Sequence, residues 1–117
     1  MKANTNIKSL NTEMLWFNHR KKSVFLEEVV YLKSFENYTR FYLKSGQNFL
    51  TSFTMKKYEQ QLTNKGGFTR IHRGTLLNLK YLLGFEKTND GHQACLSTGE
   101  KIGISRRKMK KFELLSE

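Results

Sequence analysis

A chain of 117 residues suits one domain, and a composition 38% hydrophobic and 13% aromatic is too apolar for a disordered tail. Lys and Arg number 21 against 10 Asp and Glu, a formal net charge of +11 that favours polyanions as partners, nucleic acid before an anionic membrane surface. The single cysteine, Cys95, excludes an intrachain disulfide, and no leader or membrane-length apolar run is visible, so a soluble cytoplasmic protein is expected.

Residues 1–11 are polar and unpatterned and read as a flexible arm, leaving 12–117 as the folded domain. Glu13 to His19 reads as a first strand, Arg20-Lys21-Lys22 as a turn, and Ser23 to Leu26 as the return. Val29 to Phe35 is a continuous apolar-rich run suited to a buried strand. Thr39 to Leu43 alternates, with Thr39, Phe41 and Leu43 on one side and Arg40 and Tyr42 on the other. Ser45-Gly46 turns the chain, and Asn48 to Ser52 returns it as a hairpin partner. Thr54 can cap a helix whose Met55, Tyr58 and Leu62 share a face, and Phe53 can pack on Tyr58 as a staple. Gly66-Gly67 ends that helix. Phe68 to Ile71 is short and extended, and Leu76 to Leu79 is apolar. Leu82 to Thr88 and His92 to Leu96 flank Asn89-Asp90-Gly91, a strong hairpin signal. Lys101 to Ile104 is a last strand, and a helix starts at Ser105 with Met109, Phe112 and Leu115 on one face. The pattern is mainly β with two small helices.

Little in the chain supports catalysis. His19, His72 and His92 are scattered, one cysteine cannot build a zinc site, and Glu27 and Glu28 point apart if extended. No glycine-rich phosphate loop or serine elbow occurs, so no catalytic residue, metal or cofactor is expected. Asp90 is the only aspartate and lies in a turn, which rules out the acidic cluster of a phosphoacceptor receiver.

The basic residues are more informative. Ser105 to Lys111 carries Arg106, Arg107, Lys108, Lys110 and Lys111, at a helix start suited to phosphate contact. A solvated basic face is the plainer account of such a run. A second cluster, Arg70, His72 and Arg73, tips the balance, because arginine forks match both guanine edges and phosphates. His72, beside Ile71, reads as a hydrogen-bonded histidine orienting the Arg73 loop and counts also among phosphate candidates. Asn78, between Leu77 and Leu79, reads as a backbone partner in a turn, and Tyr31, Phe41 and Tyr42 read as core.

The stretch from Gly67 to Leu82, with Phe68, His72-Arg73-Gly74 and Leu77-Asn78-Leu79, resembles the signature of LytTR DNA-binding domains. Phe25 to Leu32, Glu36-Asn37-Tyr38 and Ile104-Ser105-Arg106-Arg107 resemble further motifs of that family in the same order, so the likeness runs from about Glu13 to Leu115. It departs at Lys33, where glutamate is frequent, and at Phe35, where small residues are common. The resemblance implies an elongated stack of small, mostly antiparallel sheets with one short internal helix and a short C-terminal helix. It further implies a transcription regulator reading duplex DNA, with two copies on repeated half-sites. Base contacts are expected from Asn37, Tyr38, Thr39, Arg73 and Arg107, with Arg106 as the alternative if the closing motif shifts by one residue. Phosphate contacts are expected from Arg20, Lys21, Lys22, Arg70, His72, Lys108 and Lys111. A single-stranded nucleic-acid module and a protein-interaction module are the alternatives, and an unknown regulatory protein is a possible partner.

Overall fold

The computed structural model describes residues 14–17, 22–64 and 67–115. β1 (Met14–Phe17) and β2 (Lys22–Phe25) form an antiparallel pair, with Met14 opposite Phe25. The arm expected at 1–11, Glu13, and the turn residues Arg20 and Lys21 lie outside the described residues. A 3-10 turn, Leu26–Glu28, takes Leu26 out of the second strand and leads into β3 (Val29–Phe35). β4 (Tyr38–Leu43) and β5 (Asn48–Thr51) follow, then helix α1 (Met55–Asn64), β6 (Phe68–His72) and β7 (Thr75–Asn78). A second 3-10 turn, Leu79–Tyr81, precedes β8 (Leu82–Thr88), β9 (Gly91–Leu96), β10 (Lys101–Ile104) and helix α2 (Arg106–Leu115).

β3 to β7 make a five-stranded antiparallel sheet in the order β5-β4-β3-β7-β6, and β8 to β10 make a three-stranded sheet in the order β10-β9-β8. The larger sheet is the middle layer. On one face Val29, Leu32, Phe41 and Leu76 pack with Leu15 and Val24 of the first hairpin and with Met55, Tyr58 and Leu62 of α1. On the other, Val30, Tyr31, Ile71 and Leu77 pack with Ala94, Leu96, Ile102 and Ile104 of the smaller sheet and with Met109 of α2. Cover on both faces explains why Val29 to Leu32 is apolar without alternation. A bulge between Val29 and Tyr31 puts the consecutive Val30 and Tyr31 into the same layer.

Local signals account for most boundaries. The Phe53 and Tyr58 rings meet edge to face at 6.2 Å, the staple contact at the start of α1. The β8–β9 turn tightens to Asn89-Asp90, since Gly91, at φ +135°, already pairs with Thr88. Ser105 caps α2, its Oγ accepting from the Lys108 N–H at 3.2 Å.

The two 3-10 turns escape the sequence reading, and Asn78 is the reason they form. Its side-chain Oδ1 accepts from the Lys80 N–H at 3.1 Å and ends β7 before Leu79. Its Nδ2 donates to the Val29 carbonyl at 2.9 Å and lies 3.5 Å from the Leu26 carbonyl, so one buried amide serves both turns. The Tyr81 hydroxyl donates to the Glu27 carbonyl, and Lys80 pairs with Glu27 at 3.4 Å, closing the same junction. Asn78 is 5% exposed, so its removal would leave buried carbonyls without a donor. Asn78→Ala should cost about 1–3 kcal/mol of stability. Urea unfolding should read this as a lower midpoint with an unchanged slope.

Candidate nucleic-acid interface

β3 outruns its cover. Val29 to Leu32 are buried, whereas Lys33, Ser34 and Phe35 are exposed, and two further segments are fastened beside this bare end. The Ser34 N–H donates to the Gly74 carbonyl at 2.9 Å, which brings in the β6–β7 turn. The Ser105 N–H donates to the Ile71 carbonyl at 2.8 Å, which brings in the start of α2.

The first segment is the β3–β4 hairpin tip. Phe35 pairs with Tyr38, so the turn holds only Glu36 and Asn37, and Glu36 takes a positive φ of 53°. Asn37 is exposed, and Phe35 and Tyr38 are 45% and 46% exposed, side by side on the same strand pair. The Arg40 guanidinium lies 5.7 Å from the Phe35 ring centroid. Thr39, expected among the base-reading residues, is instead fully buried. Its hydroxyl donates to the Phe53 carbonyl at 2.8 Å, and its carbonyl accepts from Thr51 Oγ1 at 3.1 Å, so it offers no surface to a base. The pleat decides this: Thr39 shares the inward face with Phe41.

The second segment is the turn at Arg73-Gly74. Gly74 allows the close approach to β3, because an added Cβ would stand 2.8 Å from Ser34 Oγ. His72 is exposed and its Nδ1 accepts from the Gly74 N–H at 3.4 Å, the turn-orienting role expected of it. Arg73 is exposed. Arg70 is not a free cation: its Nε and Nη2 donate to the two Glu59 carboxylate oxygens at 3.1 and 2.5 Å, and its Nη1 donates to the Arg73 carbonyl at 2.6 Å. This pairing engages Arg70, expected among the phosphate contacts, with partners inside the protein.

The third segment is the first turn of α2. Arg106 and Arg107 are exposed there, Lys108 is half-buried and Lys111 is exposed one turn on. Among the described residues, Arg73, Arg106 and Arg107 form no ion pair, whereas Arg70, Lys80 and Lys101 are each matched by a glutamate. Glu100 borders the hollow beside Lys33 and His72, and it accepts hydrogen bonds from Tyr31 at 3.0 Å and Thr98 at 3.0 Å. Burial, and then this bond to Glu100, push the Tyr31 hydroxyl well above its ordinary range, which keeps it a neutral donor.

The structure sets His72 and Arg73 on the rim of one hollow with the end of β3, the Asn37-Tyr38 tip continues from Phe35, and the Arg106-Arg107 helix start is tied to Ile71, next to His72. Arg20, Lys21 and the side chain of Lys22 lie outside the described residues. Lys33 and Phe35 also stand on the rim and were not foreseen as contacts; the break from apolar to polar after Leu32 is the signal that marks them. A shallow hollow of about 390 Å³ joins Phe35 and Lys33 to His72 and Arg73. Among the described residues no cluster of His, Cys, Asp and Glu could hold a metal ion, and no helix is long and apolar enough to cross a membrane.

Comparison with known proteins gives the family and the fold. Residues 19–116 match the profile of the LytTr DNA-binding domain. Among solved structures the chain is similar to the LytTr DNA-binding domain of a protein described as a methyl-accepting/DNA response regulator from Bacillus cereus. The two are 19% identical with a TM-score of 0.68, over 91% of this chain and 96% of that one, a likeness of fold. No curated protein matches. The profile spans the hairpin tip, the Arg73 turn and the start of α2 alike, and the chain belongs to the LytTR family of DNA-binding domains, which are not enzymes.

Proposed function

We propose that this chain is a sequence-specific reader of duplex DNA that regulates transcription, binding as two copies on repeated half-sites. One observation carries the reading. Two backbone hydrogen bonds, from Ser34 to Gly74 and from Ser105 to Ile71, gather three exposed segments whose arginines have no acid partner among the described residues. Arg73 and Arg107 are the base-reading residues, each able to fork onto guanine O6 and N7, and Arg106 is the alternative to Arg107. Asn37 and Tyr38 extend the reading from the hairpin tip. Lys108, Lys111 and His72, with Arg20, Lys21 and Lys22, contact phosphates and fix the register of the domain on the duplex.

This division of labour has measurable consequences. Arg107→Ala should cost about 1–3 kcal/mol on the preferred site and relax preference at one base pair, as read from selection on a randomised duplex library. Lys111→Ala should weaken all sequences alike. With about five phosphates neutralised by the lysines and arginines of the phosphate-contacting set, log K should fall against log salt with a slope of about −4.5, and the Lys111 variant should lower that slope by about one. Uniform loss in both Arg106→Ala and Arg107→Ala would mean that the helix start supplies charge alone.

The two-copy arrangement is tested by phase. Half-sites on one face of the duplex lie about one helical turn, or roughly 10–10.5 base pairs, or a multiple apart. Inserting about five base pairs between them should abolish joint occupancy in a gel-shift titration while leaving single-site binding intact. An excess of unlabelled single-stranded oligonucleotide should fail to displace the duplex.

A further inference from the structure

The Arg73 turn follows directly on a break in the strand ladder. β6 and β7 lose register between Arg70 and His72: Arg70 lies opposite Leu76, and His72 opposite Thr75, with Ile71 as the extra residue. A bulge of this kind bends its strand and leaves the following turn short of ladder hydrogen bonds. Besides the Ser34–Gly74 bond within the sheet, a restraint comes from outside it. Glu59, in the middle of α1, grips Arg70 through both carboxylate oxygens, and the remaining arm of the same guanidinium reaches the Arg73 carbonyl at 2.6 Å. Both charged side chains are less than one-third exposed, at 28% and 30%. A fork locked on one side by a bidentate carboxylate has a fixed direction for its third arm, which a lysine's single ammonium could not reproduce.

The geometry points to Glu59 and Arg70 as positioning residues for DNA reading: through the Arg73 carbonyl they set the direction in which the Arg73 side chain leaves the turn. The inference rests on Arg73 as a base-reading residue. It assigns α1 a role in specificity although α1 itself presents no reading side chain. It also separates Arg70 from the phosphate-contacting cations: Arg70 acts on base preference and leaves the salt dependence alone.

Three variants of the full chain test this: Arg73→Ala as reference, Glu59→Gln and Arg70→Gln. Each is passed through selection on a randomised duplex library and a salt titration, and the carbonyl carbon resonance of Arg73 is followed without DNA. Arg73→Ala identifies the base pair concerned. At that pair, Glu59→Gln and Arg70→Gln should each reduce discrimination about threefold to tenfold. Preference at the base pair read by Arg107, and the salt slope, should stay as in the parent. The Arg73 carbonyl resonance should move in both variants. Glu59→Gln keeps the size of the side chain, so it carries the test alone if Arg70→Gln does not fold. Full discrimination in Glu59→Gln, at a base pair that Arg73→Ala abolishes, overturns the positioning role while leaving Arg73 as a reader. A salt slope lowered by about one in Arg70→Gln also overturns it and returns Arg70 to the phosphate contacts. If Arg73→Ala changes no base preference, the reading of Arg73 itself fails, and the clamp's role in specificity fails with it.

Discussion

The constraint on which the molecule depends is the cover of its central strand. β3 is walled on both faces for four residues and bare for the last three. The walled part fixes the layers: α1 and the first hairpin on one side, the three-stranded sheet and α2 on the other. The bare part is a ledge, because backbone at the end of a strand still has hydrogen bonds to make although no layer covers it. Ser34 makes one of them with Gly74, and that bond draws the Arg73 turn to the ledge. Core and candidate interface are therefore two ends of the same strand.

The cations sort along the same division. Arg70, Lys80 and Lys101 each face a glutamate, and these pairs lie where elements meet: α1 with β6, one 3-10 turn with the other, and β8 with β10 across β9. Exposed pairs of this kind contribute little to stability. Among the described residues Arg73, Arg106 and Arg107 are left without an acid partner, as are several surface lysines. A net charge of +11 on its own describes attraction; the placement of the glutamates gives it a direction.

Much of this was legible in the sequence wherever the signal is local. Asn89-Asp90-Gly91 marked the β8–β9 hairpin, and Ser105 marked the start of α2. The features that were missed depend on residues far apart in the chain. The 3-10 turns need Asn78 to reach a carbonyl 49 residues away. Arg70 reads as a free basic residue because Glu59, its partner, sits 11 residues earlier on another element. Thr39 is the reverse case: the alternation already put it on the side of Phe41, and only the family resemblance assigned it to the reading loop. In the candidate site, residue types were readable, but commitment to an internal partner was not.

Ser105 has a consequence of another kind. Its N–H holds the Ile71 carbonyl, its carbonyl accepts from the Met109 N–H at 2.9 Å, and its hydroxyl caps the Lys108 N–H. One polar group of this residue thus holds the sheet and the other two hold the first turn of the helix, at the point where the arginines emerge. Much of the entropy penalty of association is the loss of freedom in segments that become ordered only on contact. Here the backbone under Arg106 and Arg107 has already lost that freedom during folding. The penalty left for these two positions is the side-chain rotamers, about 0.5–1.5 kcal/mol for each one immobilised. For the proposed contacts of Arg106 and Arg107, a single serine would thereby transfer part of the entropic demand of recognition from binding to folding.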